Sequence, residues 1–150
     1  MSAAPLAVLC RGEAETERRG RELGLRLEPG ALVSLEGELG AGKTVFVRGL
    51  AEGLGHPPGS IASPSFVLAI EHAGGRLPLL HVDLYRLAEG AGIDDLGIDE
   101  ALARGWVVAV EWGERLPAVL RGAGWRVVIA TAEIAEPDAR SLVIVPPAGA

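Results

Sequence analysis

The sequence predicts an α/β protein of three layers, a mixed central sheet between layers of helices. Three observations predict it. Short apolar runs of strand length alternate with segments of helical periodicity, the pattern of a sheet covered by helices. A glycine-rich turn at residues 37–42 joins one such run to a helix. Gly74-Gly75 lies between two candidate strands as a hairpin turn, so at least one strand pair is antiparallel and the sheet is mixed. A chain of 150 residues without linker or internal repeat suits one domain, residues 1–150.

The elements follow in order. The apolar stretch at residues 3–10 is short, broken by Pro5 and not preceded by basic residues. It therefore does not read as a leader peptide, and no element is assigned to it. Residues 13–27 read as an amphipathic helix stopped by Pro29-Gly30. Residues 31–36 are a short apolar run, the signature of a buried strand. After the glycine-rich turn, Val47, Leu50, Ala51 and Leu54 recur at i, i+3, i+4 and i+7, one face of a helix. Gly55-His56-Pro57-Pro58-Gly59 ends it. Phe66, Leu68 and Ile70 alternate as a strand does, and the return strand reaches about Leu84 with an irregular or edge-type start at Pro78. Residues 93–104 predict a helix with Ile93, Leu96 and Ala101 facing inward. Residues 106–110 are apolar throughout, as a central strand is. Strands at residues 125–130 and 141–145 complete the sheet, and residues 146–150 form a frayed tail.

Composition narrows the class of function. Hydrophobic residues at 49% and charged residues at 23% are globular values and exclude a disordered chain. Aromatics at 4% leave the core to aliphatic side chains. A net charge of −6 argues against a broad basic surface for DNA or RNA. No run of about 18 apolar residues exists, so neither a membrane span nor a membrane partner is expected. The lone Cys10 has no partner for an internal disulfide, which suits a reducing compartment and a cytoplasmic location. The chain has no Asn and no Gln, and its 14 basic residues include a single lysine, Lys43.

That lysine sits in Gly37-Glu38-Leu39-Gly40-Ala41-Gly42-Lys43-Thr44, which satisfies G-x-x-x-x-G-K-[ST]. Glycines let backbone N–H groups turn inward around phosphate oxygens without a Cβ in the way. The helix that follows aims its N-terminus at the same anion. Lys43 would bridge the terminal phosphates, and Thr44 would offer its hydroxyl to Mg²⁺. A plain glycine-rich turn is the alternative in a chain with 21 glycines, but the strand before and the helix after are the context a phosphate loop requires. The fold is therefore read as P-loop NTPase-like. Its candidate nucleotide contacts are Glu38, Leu39, Gly40, Ala41, Gly42, Lys43, Thr44 and Val45.

A P-loop needs a carboxylate at the end of a neighbouring strand to position Mg²⁺ or water. Glu111 closes the apolar strand Val107-Val108-Ala109-Val110 and is the preferred metal candidate. Asp83, in His81-Val82-Asp83-Leu84-Tyr85-Arg86, ends the hairpin strand and suits the polarisation of attacking water. Either could instead be a solvated strand-end acid. Ser63-Pro64-Ser65-Phe66 is either a loop that senses the terminal phosphate or an ordinary turn. His81 is a general base or, more commonly for a lone strand histidine, a structural one. His56 and His72 read as loop residues, and no Cys/His cluster suggests zinc.

Taken together, the phosphate loop, Ser63-Pro64-Ser65-Phe66, His81-Val82-Asp83-Leu84-Tyr85-Arg86-Leu87 and Glu111-Trp112 resemble a known family. It is the P-loop ATPase family of bacterial tRNA threonylcarbamoyladenosine biosynthesis, TsaE or YjeE. The order of these segments matches, and the resemblance spans nearly the whole chain. The P-loop alone is shared by many families, whereas H-x-D-x-Y-R-L followed by Glu-Trp is far more specific. Thr16, with Gly20 four residues on, is similar to the family's N-terminal threonine near the nucleotide. Ser65 departs from it, since the family usually has Thr there. The resemblance implies that ATP and ADP bind with Mg²⁺ held by Thr44 and Glu111, and that Asp83 and Lys43 serve hydrolysis. It also implies two protein partners, TsaB and TsaD, which modify the tRNA adenosine beside the anticodon. ATP turnover would reset that complex, and tRNA would be met only through it.

Other classes remain open on sequence. A small-molecule kinase would need an acceptor site and usually an Arg-bearing lid; Arg86, Arg104 and Arg115 are scattered, and no insertion is long enough. A GTPase commonly uses Asn-Lys-x-Asp for guanine and Gln for water, and this chain has no Asn, no Gln and no second Lys. A nucleotide-gated binding module without turnover would look like a partner-dependent ATPase when tested alone.

Overall fold

Among the described residues seven strands form one mixed sheet in the order β1-β7-β6-β2-β5-β4-β3. The structure, a computed structural model, describes residues 4–38, 40–61, 68–85, 92–132 and 137–148. The strands are β1 (Leu6–Cys10), β2 (Leu32–Glu36), β3 (Ala69–His72), β4 (Leu79–Asp83), β5 (Val107–Glu111), β6 (Trp125–Thr131) and β7 (Arg140–Val145). The helices are α1 (Glu13–Arg26), α2 (Lys43–Gly53), α3 (Ile98–Ala103) and α4 (Ala118–Ala123). β4, β5, β2 and β6 run parallel, while β3, β7 and β1 pair antiparallel at the two flanks. The mixed sheet is the one the Gly-Gly hairpin demanded. Among the described residues no helix is long and apolar enough to cross a membrane.

Three of the four parallel strands, β2, β5 and β4, are buried on both faces, which explains their largely apolar runs. Val33, Leu35, Ala109, Val127 and Ile129 pack with Phe46, Val47 and Leu50 of α2 and Leu23 of α1. On the other face, Leu32, Leu80, Val82, Val108 and Val110 meet Ile93, Ile98 and Leu116. The alternation places Leu35 and Glu111 at one register level, with Asp83 beside Glu111. The carboxyl ends of β2, β5 and β4 thus open at the same edge of the sheet, where ligands of open α/β sheets bind.

Helices α1 and α2 approach so closely that their glycines are compulsory. A Cβ at Gly20 would lie 2.2 Å from Phe46 O, and one at Gly24 2.3 Å from Leu50 O. From the other helix, Gly49 would meet Glu17 O at 1.8 Å and Gly53 would meet Arg21 O at 2.4 Å. The two Gly-x-x-x-Gly pairs let backbone rest on backbone and bring the start of α1 beside the start of α2.

Three elements differ from the sequence expectation. The helix expected at residues 93–104 is split into a 3₁₀ turn, Ile93–Leu96, and α3, because Gly97 between them takes a left-handed φ of 79° that ends one helix before the next begins. β1 was not assigned. It forms at the sheet edge through pairing with β7, Leu6↔Ile144 through Cys10↔Arg140, with Leu6 and Leu9 left exposed, so its pattern carries little alternation. α4 was also missed, since it buries none of its residues and shows no apolar stripe. The loop Ser63-Pro64-Ser65-Phe66, with Phe66 of the expected strand, lies outside the described residues, as do Leu39 and Arg86-Leu87.

Candidate functional site

The phosphate loop leaves β2 at Gly37 and enters α2 at Lys43. Gly37, Gly40 and Gly42 have φ of 150°, 79° and 108°, values that a side chain opposes. At Gly37 a Cβ would also stand 2.2 Å from Ile129 O. These glycines are required by backbone geometry, which is what a cradle for phosphate needs. Thr16 is buried under the loop, and its Cγ2 lies 4.0 Å from where a Cβ on Gly42 would sit. The glycine seam between α1 and α2 is what carries it there. Glu38 and Gly40 are exposed at the rim, and Val45 is half-buried in the first turn of α2.

Lys43 is buried. Its Nζ donates to Gly37 O at 2.6 Å and Glu38 O at 2.8 Å, and lies 4.1 Å from the centre of the Trp112 ring. Burial lowers its pKa, and the charges of Glu114, Glu111 and Asp83 oppose that shift. The loop's only ammonium is therefore held in place by carbonyls, a ring face and three surrounding carboxylates.

Glu111, at the end of β5, joins the two sides of the site. Thr44 Oγ1 donates to its carboxylate at 2.9 Å and 3.0 Å. His81, fully buried on β4, contacts Glu111 Oε2 through Nε2 at 2.6 Å. A carboxylate oxygen accepts, so the His81 proton sits on Nε2. Nδ1 is left without a partner among the described residues. The sequence reading left His81 between general base and structural residue. The geometry makes it the residue that orients Glu111. Replacing it by Leu is expected to cost about 1–3 kcal/mol, the usual result of stripping a buried acceptor of its donor. Urea unfolding checks this, and a loss below about 0.5 kcal/mol would contradict the role.

Asp83 lies one strand over, in register with Glu111. Its Oδ1 accepts the Tyr85 N–H at 2.9 Å. Burial raises its pKa; the Tyr85 N–H works against that, and the charge of Glu111 adds to it. Trp112 follows Glu111 with φ of 61°, the one positive φ outside glycine among the described residues. That left-handed turn swings the ring over Lys43 and within 5.1 Å of the Tyr85 ring.

Thr16, the loop, Thr44, Glu111 and Asp83 are thus brought to one edge, and Leu39 lies outside the described residues. The sequence reading missed the supports around the loop. Buried Glu36, the last residue of β2, accepts from Arg126 at 2.9 and 3.1 Å and from Arg121 at 2.9 Å on the far face of the sheet. Burial alone would raise its pKa, but these two guanidiniums outweigh it and lower it. Glu114 accepts the Gly37 N–H at 3.3 Å, and Arg140 grips the loop from outside. An acid directly before the first loop glycine was a readable signal. The distant arginines carried none.

The sequence profile of the family described as threonylcarbamoyl adenosine biosynthesis protein TsaE matches residues 10–141. The chain is 46% identical over 111 residues to the tRNA threonylcarbamoyladenosine biosynthesis protein TsaE of Treponema pallidum, covering 73% of this chain and 80% of that one. It is 51% identical over 98 residues to the Streptomyces coelicolor protein of the same name, covering 63% of this chain and 65% of the relative, slightly under two thirds of its length. The crystal structure of Bacillus subtilis YdiB superposes with a TM-score of 0.72 at 31% identity, over 97% of this chain and 87% of that one. With the profile spanning most of the sequence and the fold shared throughout, the chain belongs to the TsaE family.

Proposed function

We propose that the protein is a Mg²⁺-dependent ATPase of tRNA threonylcarbamoyladenosine biosynthesis, whose ATP turnover resets a TsaB–TsaD-type complex between rounds of modification. The names of its relatives support the pathway. The observation that carries the ATPase reading is the chain Thr44–Glu111–His81 at the mouth of the phosphate loop. A hydroxyl and a carboxylate held together at the end of a central strand are the hard oxygen donors that Mg²⁺ takes alongside phosphate and water. Among the described residues no group of three or more His, Cys, Asp or Glu is placed to hold a metal. When bound, the nucleotide supplies the phosphoanhydride and its ion the neutralising charge.

The chain's own residues do the rest. Backbone N–H groups of residues 42–45 bind phosphate oxygens at the start of α2. Lys43 binds the terminal phosphates, its ammonium already directed along the loop. Thr44 and Glu111 hold the ion, with Glu111 oriented by His81. Asp83 is left to orient the attacking water, since the chain has no Gln for that task. The acidic net charge supports contact with tRNA only through partner proteins.

Titration calorimetry and steady-state kinetics test the reading. ATP and ADP with Mg²⁺ are expected to bind in preference to GTP and GDP, because no guanine-selecting Asn-Lys-x-Asp is present. Hydrolysis is expected to be slow alone and altered by a TsaB–TsaD pair. Equal or tighter GTP binding overturns the nucleotide assignment. A pair that neither binds nor changes turnover overturns the partner assignment, and a phosphorylated small-molecule product would make the protein a kinase.

A further inference from the structure

Arg140 opens β7, about a hundred residues from the phosphate loop, yet its guanidinium lies against the loop's outer side. Nε donates to Ala41 O at 2.9 Å and Nη2 to Gly40 O at 3.3 Å. Nη1 donates to Pro137 O and Ala139 O, each at 2.9 Å. One planar cation thus ties two loop carbonyls to two carbonyls at the foot of the sheet's outer half. Pairing of β7 with β1 on one side and β6 on the other fixes its position.

The direction of these bonds decides what they do. In a trans peptide the C=O and the following N–H point opposite ways. Holding the Ala41 carbonyl outward therefore turns the Gly42 N–H inward, toward the side where α2 begins. Holding the Gly40 carbonyl does the same for the Ala41 N–H, which donates to Glu38 O at 3.1 Å and closes the loop's turn. Gly40 and Gly42 have left-handed φ and no side chain to resist rotation of those peptides, so without an external grip the loop has more orientations to lose on binding. The guanidinium also cancels the negative ends of two carbonyl dipoles beside a site meant for anions.

We propose that Arg140 is a positioning residue for nucleotide phosphate, acting through the Ala41 carbonyl to preset the Gly42 N–H and through the Gly40 carbonyl to hold the turn that carries it. The proposal deepens the nucleotide reading given above and rests on it for its ligand. It concerns the α- and β-phosphates, which the glycine portion of a phosphate loop cradles; ADP carries both and AMP only the first. A lysine could reach one carbonyl but not span both, because it lacks the planar fork.

The test compares wild type with Arg140→Met and Arg140→Lys. Titration calorimetry with ADP and with AMP reports phosphate recognition, and amide hydrogen exchange of residues 37–46 in the nucleotide-free protein reports loop order. For Arg140→Met, ADP affinity is expected to fall about tenfold or more, the loss expected for a charged hydrogen-bonding group. The ADP-to-AMP affinity ratio should shrink and exchange of the loop should quicken. Arg140→Lys should recover only part of each effect. A general loss of stability would lower both affinities alike and leave their ratio unchanged, so an unchanged ratio together with unchanged exchange overturns the proposal. If wild type binds no ADP, the nucleotide reading fails by itself. Exchange then decides the clamp, supporting it if faster in Arg140→Met and overturning it if unaltered. If the Met variant does not fold, the ratio and exchange of Arg140→Lys carry the same two outcomes.

Discussion

Lys43→Ala is expected to weaken ADP binding by about 10²-fold and to remove measurable ATP hydrolysis, the scale of losing charge-assisted contacts to phosphate. No other lysine exists to replace it. Arg140 also contacts the loop, but its guanidinium is engaged with the Ala41 and Gly40 carbonyls. The ammonium is preset as well as charged, through its bonds to Gly37 O and Glu38 O and its place under the Trp112 ring. Burial lowers its pKa while Glu114, Glu111 and Asp83 sustain its charge, so a phosphate would meet a poorly hydrated cation at close range. Titration calorimetry checks the affinity, and a thermal melt confirms that the variant is folded. An affinity within threefold of wild type would show that the backbone cradle alone holds the phosphates.

Asp83→Asn is expected to leave ATP affinity within a few-fold while lowering kcat by about 10²-fold or more, the effect of losing a positioned base. The substitution keeps the shape and the Tyr85 N–H contact but removes the acceptor's charge. A pH profile gives an independent sign. Burial and the neighbouring Glu111 place the Asp83 pKa above the usual carboxylate value. The working form is deprotonated, so kcat should fall as pH drops through that raised pKa. That acid limb should vanish in Asp83→Asn. Hydrolysis by the variant at the wild-type rate, measured with a TsaB–TsaD pair present, would assign the water to another group.

The order of the central elements was legible because each announced itself through a local signal. β2 and β5 are apolar on both faces, α2 carries a stripe at helical spacing, and the loop motif fixes the residues between. Glu111 and Asp83 were legible as acids that end strands. What was not legible depends on pairing across the chain. β1 is a strand only because β7 lies beside it. Arg121 and Arg126 reach Glu36 across 85 and 90 residues, and Arg140 reaches Gly40 across 100; nothing in the local sequence of these arginines marks them. His81 was undecidable alone, since its role is set by a carboxylate thirty residues away. Gly97 was overlooked because the residues on both sides of it favour helix, yet one left-handed residue divides the segment.

The glycines shared by α1 and α2 bear on how the nucleotide site comes into being. Gly20, Gly24 and Gly49 lie inside their helices, and each costs an isolated helix about 1 kcal/mol against alanine. Alone, neither segment would hold helical form for long, and the first turn of α2, with its array of inward N–H groups, would be unformed. Packing of α2 against α1 and against Val33, Leu35 and Ile129 of the sheet is what holds that turn in helical form. A phosphate ligand that bound only the packed form would therefore raise the thermal midpoint, by an amount that grows with the logarithm of its concentration over Kd. Replacing those glycines with better helix formers, a common route to a more stable protein, would here strengthen each helix and separate the pair.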